Sequence, residues 1–73
     1  MKEMLSYVFR NNGKKINDIL NICNQNFKLV TLNRNESNIL LCNNDLNILI
    51  QNDFTRVVLN NENVNISNLE KIF

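Results

Sequence analysis

The chain has 73 residues and a formal net charge of +1; 44 % of its residues are hydrophobic, and it has one glycine, no proline and no histidine. This length corresponds to one small domain, residues 1–73, near the lower limit for folding without a disulfide, a metal ion or a partner. The absence of histidine removes the commonest general acid–base group and the commonest metal ligand.

The charges are distributed unevenly along the chain. Residues 1–34 hold six basic and two acidic side chains, and residues 35–73 hold two basic and five acidic ones. One interpretation is a folded protein with a basic end and an acidic end, and the other is chance scatter in a small protein.

Asparagine is the most unusual feature of the composition, at 18 of 73 residues. Together with the many Ile and Leu residues, it indicates a genome rich in A and T, such as that of an A/T-rich bacterium or of its phage or plasmid. A prion-like tract is the weaker interpretation, because the asparagines are interleaved with apolar residues. No segment has the length or composition of a signal peptide or a membrane span. We therefore expect a cytoplasmic protein in which Cys23 and Cys42 are reduced thiols.

The first apolar residues recur at helical spacing and predict a helix over about residues 2–11. These residues are Met1, Met4, Leu5, Val8 and Phe9. Residues 11–13, Asn-Asn-Gly, accept the left-handed conformation that ends a helix. The competing prediction is a strand over residues 5–10 that turns at the same place; we prefer the helix because alternation fails at Val8 and Phe9.

Residues 14–25 predict a clearer helix. Its apolar stripe has the spacing i, i+3, i+4 and i+7 and consists of Ile16, Ile19, Leu20 and Cys23. Because asparagine is a mediocre helix former, we expect this helix to depend on packing against a sheet.

The middle of the chain predicts four strands, at residues 27–32, 38–43, 46–51 and 54–59. The segments between them, 33–37, 44–45 and 52–53, are rich in Asn, Asp and Ser. Two-residue links between apolar runs are a strong hairpin signal. The sequence therefore predicts an antiparallel meander.

Both faces of the predicted sheet carry aliphatic side chains, whereas a sheet with one wet face should alternate cleanly. One face can take the helix over residues 14–25, and the other needs the N-terminal helix, the C-terminal turn or another molecule. If Phe54 and Val58 point to the core, the exposed apolar set at such a contact is Leu40, Cys42, Leu49, Val57 and Leu59. A homodimer is one way to cover it.

The C-terminal part predicts a turn at residues 60–63, a fifth short strand at Val64 and Ile66, and a short helix. Ser67 and Glu70 have the spacing of a capping box. The helix has room for little more than a turn, and we expect its apolar residues Leu69, Ile72 and Phe73 to be docked.

The residues that commonly carry catalysis or hold cofactors are missing or badly spaced. The two cysteines do not form the Cys-x-x-Cys spacing of a zinc site, and one glycine cannot build a phosphate-binding loop. We expect no enzymatic activity, no metal and no cofactor.

A nucleic-acid signal lies in the basic half, at Arg10, Lys14, Lys15, Lys28 and Arg34. Strand-borne aromatics beside basic residues stack bases in sheet-type RNA binders, and Phe27 and Phe54 give at most two such platforms. The competing interpretation places these Phe side chains in the core and the Lys side chains in water.

The sequence thus predicts an α+β fold, with one or two N-terminal helices on a four- to five-stranded antiparallel meander and a short C-terminal helix. The leading functional hypothesis is a non-enzymatic protein-binding module, such as a phage- or plasmid-encoded inhibitor that occludes a surface of a larger protein or complex. The alternatives are a nucleic-acid-binding accessory factor and a small structural subunit of a larger assembly.

Overall fold

The computed structural model describes residues 5–61 and 64–73, which form a five-stranded antiparallel sheet and two helices. The α+β class predicted above is confirmed. In chain order the elements are β1 (Leu5–Arg10), α1 (Ile16–Asn26), β2 (Val30–Arg34), β3 (Asn38–Cys42), β4 (Leu46–Gln51), β5 (Phe54–Leu59) and α2 (Ser67–Ile72).

The strand order across the sheet is β1-β5-β4-β3-β2. Strands β2 to β5 form the predicted meander, in which each strand pairs with the next one along the chain. Strand β1 is added beside β5, so β1 and β2 are the two edges of the sheet. Helix α1 connects these edges and packs against the middle strands β3 and β4.

The prediction of an N-terminal helix is wrong for the described residues, since residues 5–10 form strand β1; residues 2–4 of the predicted helix lie outside the described part. Tyr7 lies opposite Val57, and Phe9 lies opposite Thr55. Tyr7 and Phe9 pack against the core, while Val8 points to the other face. The alternation looks broken in the sequence because apolar side chains lie on both faces of the sheet.

Strand β1 ends at a turn that uses left-handed backbone conformations. Asn12 has φ 55° and Gly13 has φ 81°, which are values that Asn and Gly adopt at low cost. The left-handed propensity of this segment was therefore predicted correctly, but the element that it ends is a strand.

Helix α1 buries the predicted stripe, although it begins at Ile16 and not at Lys14. Ile19, Leu20 and Cys23 are buried, and Ile16 packs at the edge of the core. Lys15 precedes the helix and supplies no side-chain cap, so tertiary packing contributes most of the stability of α1.

Two hairpin turns are closed by asparagine side chains in the same way. The Asn35 Oδ1 atom accepts hydrogen bonds from the backbone N–H groups of Ser37 and Asn38, at 2.8 and 2.9 Å. The Asn43 Oδ1 atom accepts the equivalent bonds from Asp45 and Leu46, at 2.7 and 2.9 Å. These Asx turns account for part of the asparagine content in structural terms.

Strand β2 differs from its prediction over residues 27–32. Phe27 directly follows α1, and its backbone N–H donates to the Cys23 carbonyl group at 2.9 Å. The strand begins at Val30, and its pairing with β3 shifts between Thr31 and Asn33. This bulge disturbs the regular edge of the sheet, a common protection against edge-to-edge association.

The core lies between the helices and one face of the sheet. The helices contribute Ile19, Leu20, Cys23 and Leu69, and the strands contribute Ile39, Leu41, Leu46, Ile48, Ile50, Val57 and Leu59. The buried polar residues in the described part are Asn11 and Thr55, and they bond to each other, which removes the penalty of burying either side chain alone.

The C-terminal segment departs from two predictions. Val64 and Ile66 form no strand, and the capping box is not made, because Ser67 is the first residue of α2 and not its cap. The Ser67 backbone N–H instead donates a hydrogen bond to the Asn65 Oδ1 atom at 2.9 Å.

The chain end itself is docked, as predicted. The Phe73 ring stacks on Phe9 with 4.9 Å between ring centroids, and Leu69 is fully buried. The predicted contact of Ile72 concerns a side chain outside the described part of the structure.

Candidate functional site

Both helices lie on the same face of the sheet. Helix α1 contacts β3, β4 and α2, and Leu69 of α2 belongs to the same buried cluster as Ile19 of α1. Within residues 5–61 and 64–73, no helix covers the opposite face, which we call the uncovered face.

Strand alternation and register determine which side chains form the uncovered face. A central row across the strands contains Val8, Arg56, Leu49, Leu40 and Asn33. A second row contains Ser6, Val58, Asn47, Cys42 and Val30. At one end of the sheet, Arg10 lies opposite Phe54, and Asn38 lies opposite Gln51.

The uncovered face combines apolar side chains from all five strands with polar ones, and Arg56 lies among the apolar side chains. Val8, Val30 and Phe54 are 56, 63 and 44 % exposed. Leu40, Cys42, Leu49 and Val58 are half-buried. Because monomers rarely expose a contiguous apolar patch of this kind, such a patch commonly marks an interaction surface.

The predicted contact residues divide into two groups. Leu40, Cys42 and Leu49 lie on the uncovered face, as the prediction requires, and their contact with a partner stays a prediction. The placement of Val57 and Leu59 is wrong, because both are buried in the core on the other face of the sheet.

Strand β5 has the opposite phase to the one assumed, so Phe54 and Val58 occupy the uncovered face. The reason is Arg56: the assumed phase would bury a guanidinium group without a partner, which is costly. In the observed phase the buried polar residue is Thr55, whose hydroxyl group donates to Asn11 Oδ1 at 2.7 Å.

The charges that the five described strands place on the uncovered face have one sign. The five strands contain no Asp or Glu, and Arg10 and Arg56 are the charged residues of their uncovered face. Arg56 is exposed, and it forms no hydrogen bond or ion pair with another described residue.

Four of the five predicted nucleic-acid residues meet at one end of the sheet, which we call the basic end. Lys14, Lys15 and Arg34 line an open hollow of about 690 Å³ between the start of α1 and the β2–β3 turn. Lys14 also lines a neighbouring hollow with Arg10. Lys28 lies elsewhere, since its carbonyl group accepts a hydrogen bond from Asn43 at the β3–β4 turn.

Acidic and amide groups moderate the charge of the basic end. Glu36 lines the larger hollow, and Asp53 lines the smaller one. The Arg34 guanidinium group donates to the Asn17 side-chain oxygen at 2.8 Å. The basic end can thus attract an anion, but not as strongly as four isolated cations would.

The predicted aromatic platforms do not form a stacking surface. Phe27 is half-buried against the core and lies outside the strands. Phe54 is the one aromatic residue among the described side chains of the uncovered face, because Tyr7 and Phe9 point to the core.

The thiols and acidic groups were the remaining candidates for chemistry. Burial raises the pKa of the Cys23 thiol to about 11, so this residue is a poor nucleophile at neutral pH. The described residues hold no cluster of three or more Cys, Asp or Glu side chains able to hold a metal ion. Neither described helix is long and apolar enough to cross a lipid bilayer.

Comparisons with protein families, with curated proteins and with solved structures found no match to this chain.

Proposed function

We propose that this protein is a non-enzymatic protein-binding module that docks its uncovered face onto a larger protein or complex and occludes the surface beneath. The observation that carries the proposal is the placement of α1 and α2 on one face of the sheet. The aliphatic side chains of the other face are thereby left available to a partner.

The composition of the uncovered face supports this function. Apolar side chains from all five strands share it with polar residues, namely Ser6, Asn33, Asn38, Asn47 and Gln51. Protein interfaces likewise combine apolar contact area with polar groups. The face is carried by paired strands, so little conformational entropy is lost when it docks.

The biological setting that we propose is inhibition of a host or defence complex by a phage- or plasmid-encoded protein. The short chain and the asparagine-rich composition typical of an A/T-biased genome support this setting. Steric occlusion needs only a rigid face and affinity, which a domain of this size provides.

The experiment is a pull-down from the encoding host with three baits: the wild-type protein, Leu49→Asp and Asn21→Asp. Leu49 is at the centre of the uncovered face, whereas Asn21 is exposed on α1, so the two variants add the same charge on opposite sides. We expect the wild type and Asn21→Asp to capture the same protein and Leu49→Asp to lose about 30-fold or more in affinity.

Capture that is equally strong with all three folded baits would contradict the proposal. Circular dichroism of each bait establishes folding beforehand. A wild-type chain that folds only when co-expressed with another protein would instead favour the structural-subunit hypothesis.

A nucleic-acid-binding accessory factor is the second candidate, and the basic end is the observation that favours it. Arg34 joins Arg10, Lys14 and Lys15 from a distant part of the sequence, and the four residues line two adjoining hollows. Binding through them would weaken steeply with salt.

The test of the second candidate is the affinity for a mixed-sequence 20-nucleotide RNA at several salt concentrations. The variant replaces Arg10, Lys14 and Lys15 with Ala, and Leu49→Asp is the control. Loss of binding in the triple variant alone would favour the nucleic-acid function over protein binding.

A further inference from the structure

Arg56 lies at the centre of the apolar part of the uncovered face. Val8 and Leu49 are its neighbours on the adjacent strands. On β5 itself, Phe54 and Val58 are the residues before and after it on the same face. A charged side chain is thus surrounded on four sides by apolar ones.

A partner that covers the apolar neighbours also removes water from Arg56. Burying a guanidinium group is unfavourable unless a hydrogen-bonding anion replaces its water. The described strands supply no such anion on the face, because they contain no Asp or Glu. The partner therefore has to provide it, and a carboxylate accepts two parallel hydrogen bonds from arginine.

A second copy of the chain does not meet this requirement. Two uncovered faces stacked on each other would place the Arg10 and Arg56 side chains of both copies in one interface. No described carboxylate of either face would lie between them. Like charges in a desolvated interface disfavour association.

Nucleic acid offers anionic phosphates, but it fits the rest of the face poorly. Single-stranded nucleic acids stack their bases on aromatic side chains, and this face has one aromatic residue among aliphatic ones. Leu40, Leu49 and Val58 instead match the aliphatic side chains of a protein.

We propose that the uncovered face binds a protein segment in which an Asp or Glu side chain is flanked by apolar residues, with the carboxylate paired to Arg56. This inference rests on the proposed function and specifies the chemistry of the partner. The carboxylate sets the orientation of the partner, and the aliphatic contacts supply most of the affinity.

The test is a selection from a random peptide library displayed on phage, with the wild-type protein, Arg56→Glu and Leu49→Asp as separate baits. Val8→Asp is a fourth bait. Like Leu49→Asp, it places a charge on the uncovered face, and it should not disturb folding because Val8 is on an edge strand and more than half exposed. Folding of every bait is established by circular dichroism.

We expect selection on the wild type to enrich peptides with Asp or Glu between apolar residues. Selection on Leu49→Asp or on Val8→Asp should not enrich these peptides. Arg56→Glu should enrich Lys or Arg at the corresponding position. A synthetic peptide from the wild-type selection should bind Arg56→Glu at least about 10-fold more weakly, and exchange of its acidic residue for Lys should reverse this preference.

The outcomes separate the inference from the function on which it rests. The selected peptides could depend on Leu49 but lack an acidic residue and bind Arg56→Glu equally well. That result would overturn the inference but leave the proposed function standing. Failure to obtain any peptide that depends on Leu49 or Val8 would overturn both.

Two further measurements address the other occupants. A wild-type dimer in solution that Leu49→Asp converts to a monomer would overturn the inference in favour of a second copy. Binding of a 20-nucleotide RNA that is lost in Leu49→Asp would overturn it in favour of nucleic acid.

Discussion

The Thr55 hydroxyl group donates a hydrogen bond to the Asn11 side-chain oxygen over 2.7 Å, and both residues are buried. The Asn11 side-chain nitrogen also donates to the backbone carbonyl groups of Gln51 and Asn52. The Asn11 backbone N–H donates to the backbone carbonyl group of Asp53 at 2.9 Å. One asparagine thereby joins the end of β1 to the β4–β5 turn. This junction helps to hold β1 in the sheet and Val8 on the uncovered face.

We expect Asn11→Ala to lower the free energy of unfolding by about 1–3 kcal/mol, because it leaves the buried Thr55 hydroxyl group without a partner. The control is Asn24→Ala, which removes an exposed amide from α1. Urea denaturation of both variants measures the difference. Equal stability of the two variants would show that the junction contributes nothing.

Substitutions at Val57 and Val58 test the phase of β5. Val57 is fully buried, whereas Val58 is partly exposed on the uncovered face. Val57→Asp should unfold the domain, because a buried unpaired carboxylate costs several kcal/mol in a protein whose total stability is about 5 kcal/mol. Val58→Asp should cost about 1 kcal/mol or less. Circular dichroism and thermal denaturation distinguish the two, and the opposite ranking would mean that the faces are interchanged.

The Asx turn at Asn43 predicts a difference between two substitutions. Asn43→Asp keeps the oxygen acceptors for the Asp45 and Leu46 N–H groups, but it loses the donor to Lys28. Asn43→Ala loses all three bonds. We expect Ala to destabilise the protein by about 1 kcal/mol more than Asp does, as measured by chemical denaturation near neutral pH; equal destabilisation would argue against the Asx turn.

The buried thiol predicts a loss of stability at alkaline pH. Burial raises the pKa of Cys23 from 9.0 to about 11, so the unfolded chain releases this proton at lower pH than the folded chain does. The folded state is favoured by this difference in pKa. The resulting stabilisation is fully present below pH 9, and the free energy of unfolding falls by up to about 2–3 kcal/mol as the pH rises from 9 to 11.

The variant Cys23→Ala isolates this effect. It lacks the titrating thiol, so the difference in stability between the wild type and the variant should shrink over the same pH range. A difference that stays constant between pH 8 and pH 11 would mean that Cys23 has an ordinary pKa in the folded protein.

The sequence was sufficient to locate the meander and the main helix. The bounds of β4 and β5 were predicted to the residue, because short Asn/Asp-containing links separate the apolar runs there. The stripe from Ile16 to Cys23 predicted α1 because its period matches one helical face. These signals are local, so they are visible without the tertiary structure.

The features that the sequence did not reveal depend on contacts between distant residues. Residues 5–10 have apolar side chains on both sides, so their period is ambiguous, and pairing with β5 makes them a strand. The phase of β5 is an exception, because Arg56 in the sequence already argues against burying its face, and the bond between Thr55 and Asn11, 44 residues apart, fits the observed phase. The basic end was visible in part, because Arg10, Lys14 and Lys15 are neighbours in the sequence, but its contact with Arg34 at the end of β2 depends on the fold.

The most direct test of the uncovered face uses Cys42, which lies in its second row and is a free thiol. The measurement is the rate of alkylation of Cys42 by iodoacetamide in the Cys23→Ala background, with and without a saturating amount of the captured partner. A partner docked on the uncovered face should slow the reaction at least about 10-fold, because it shields this thiol from the reagent. An unchanged rate at saturation would contradict the account, since the partner would then bind elsewhere.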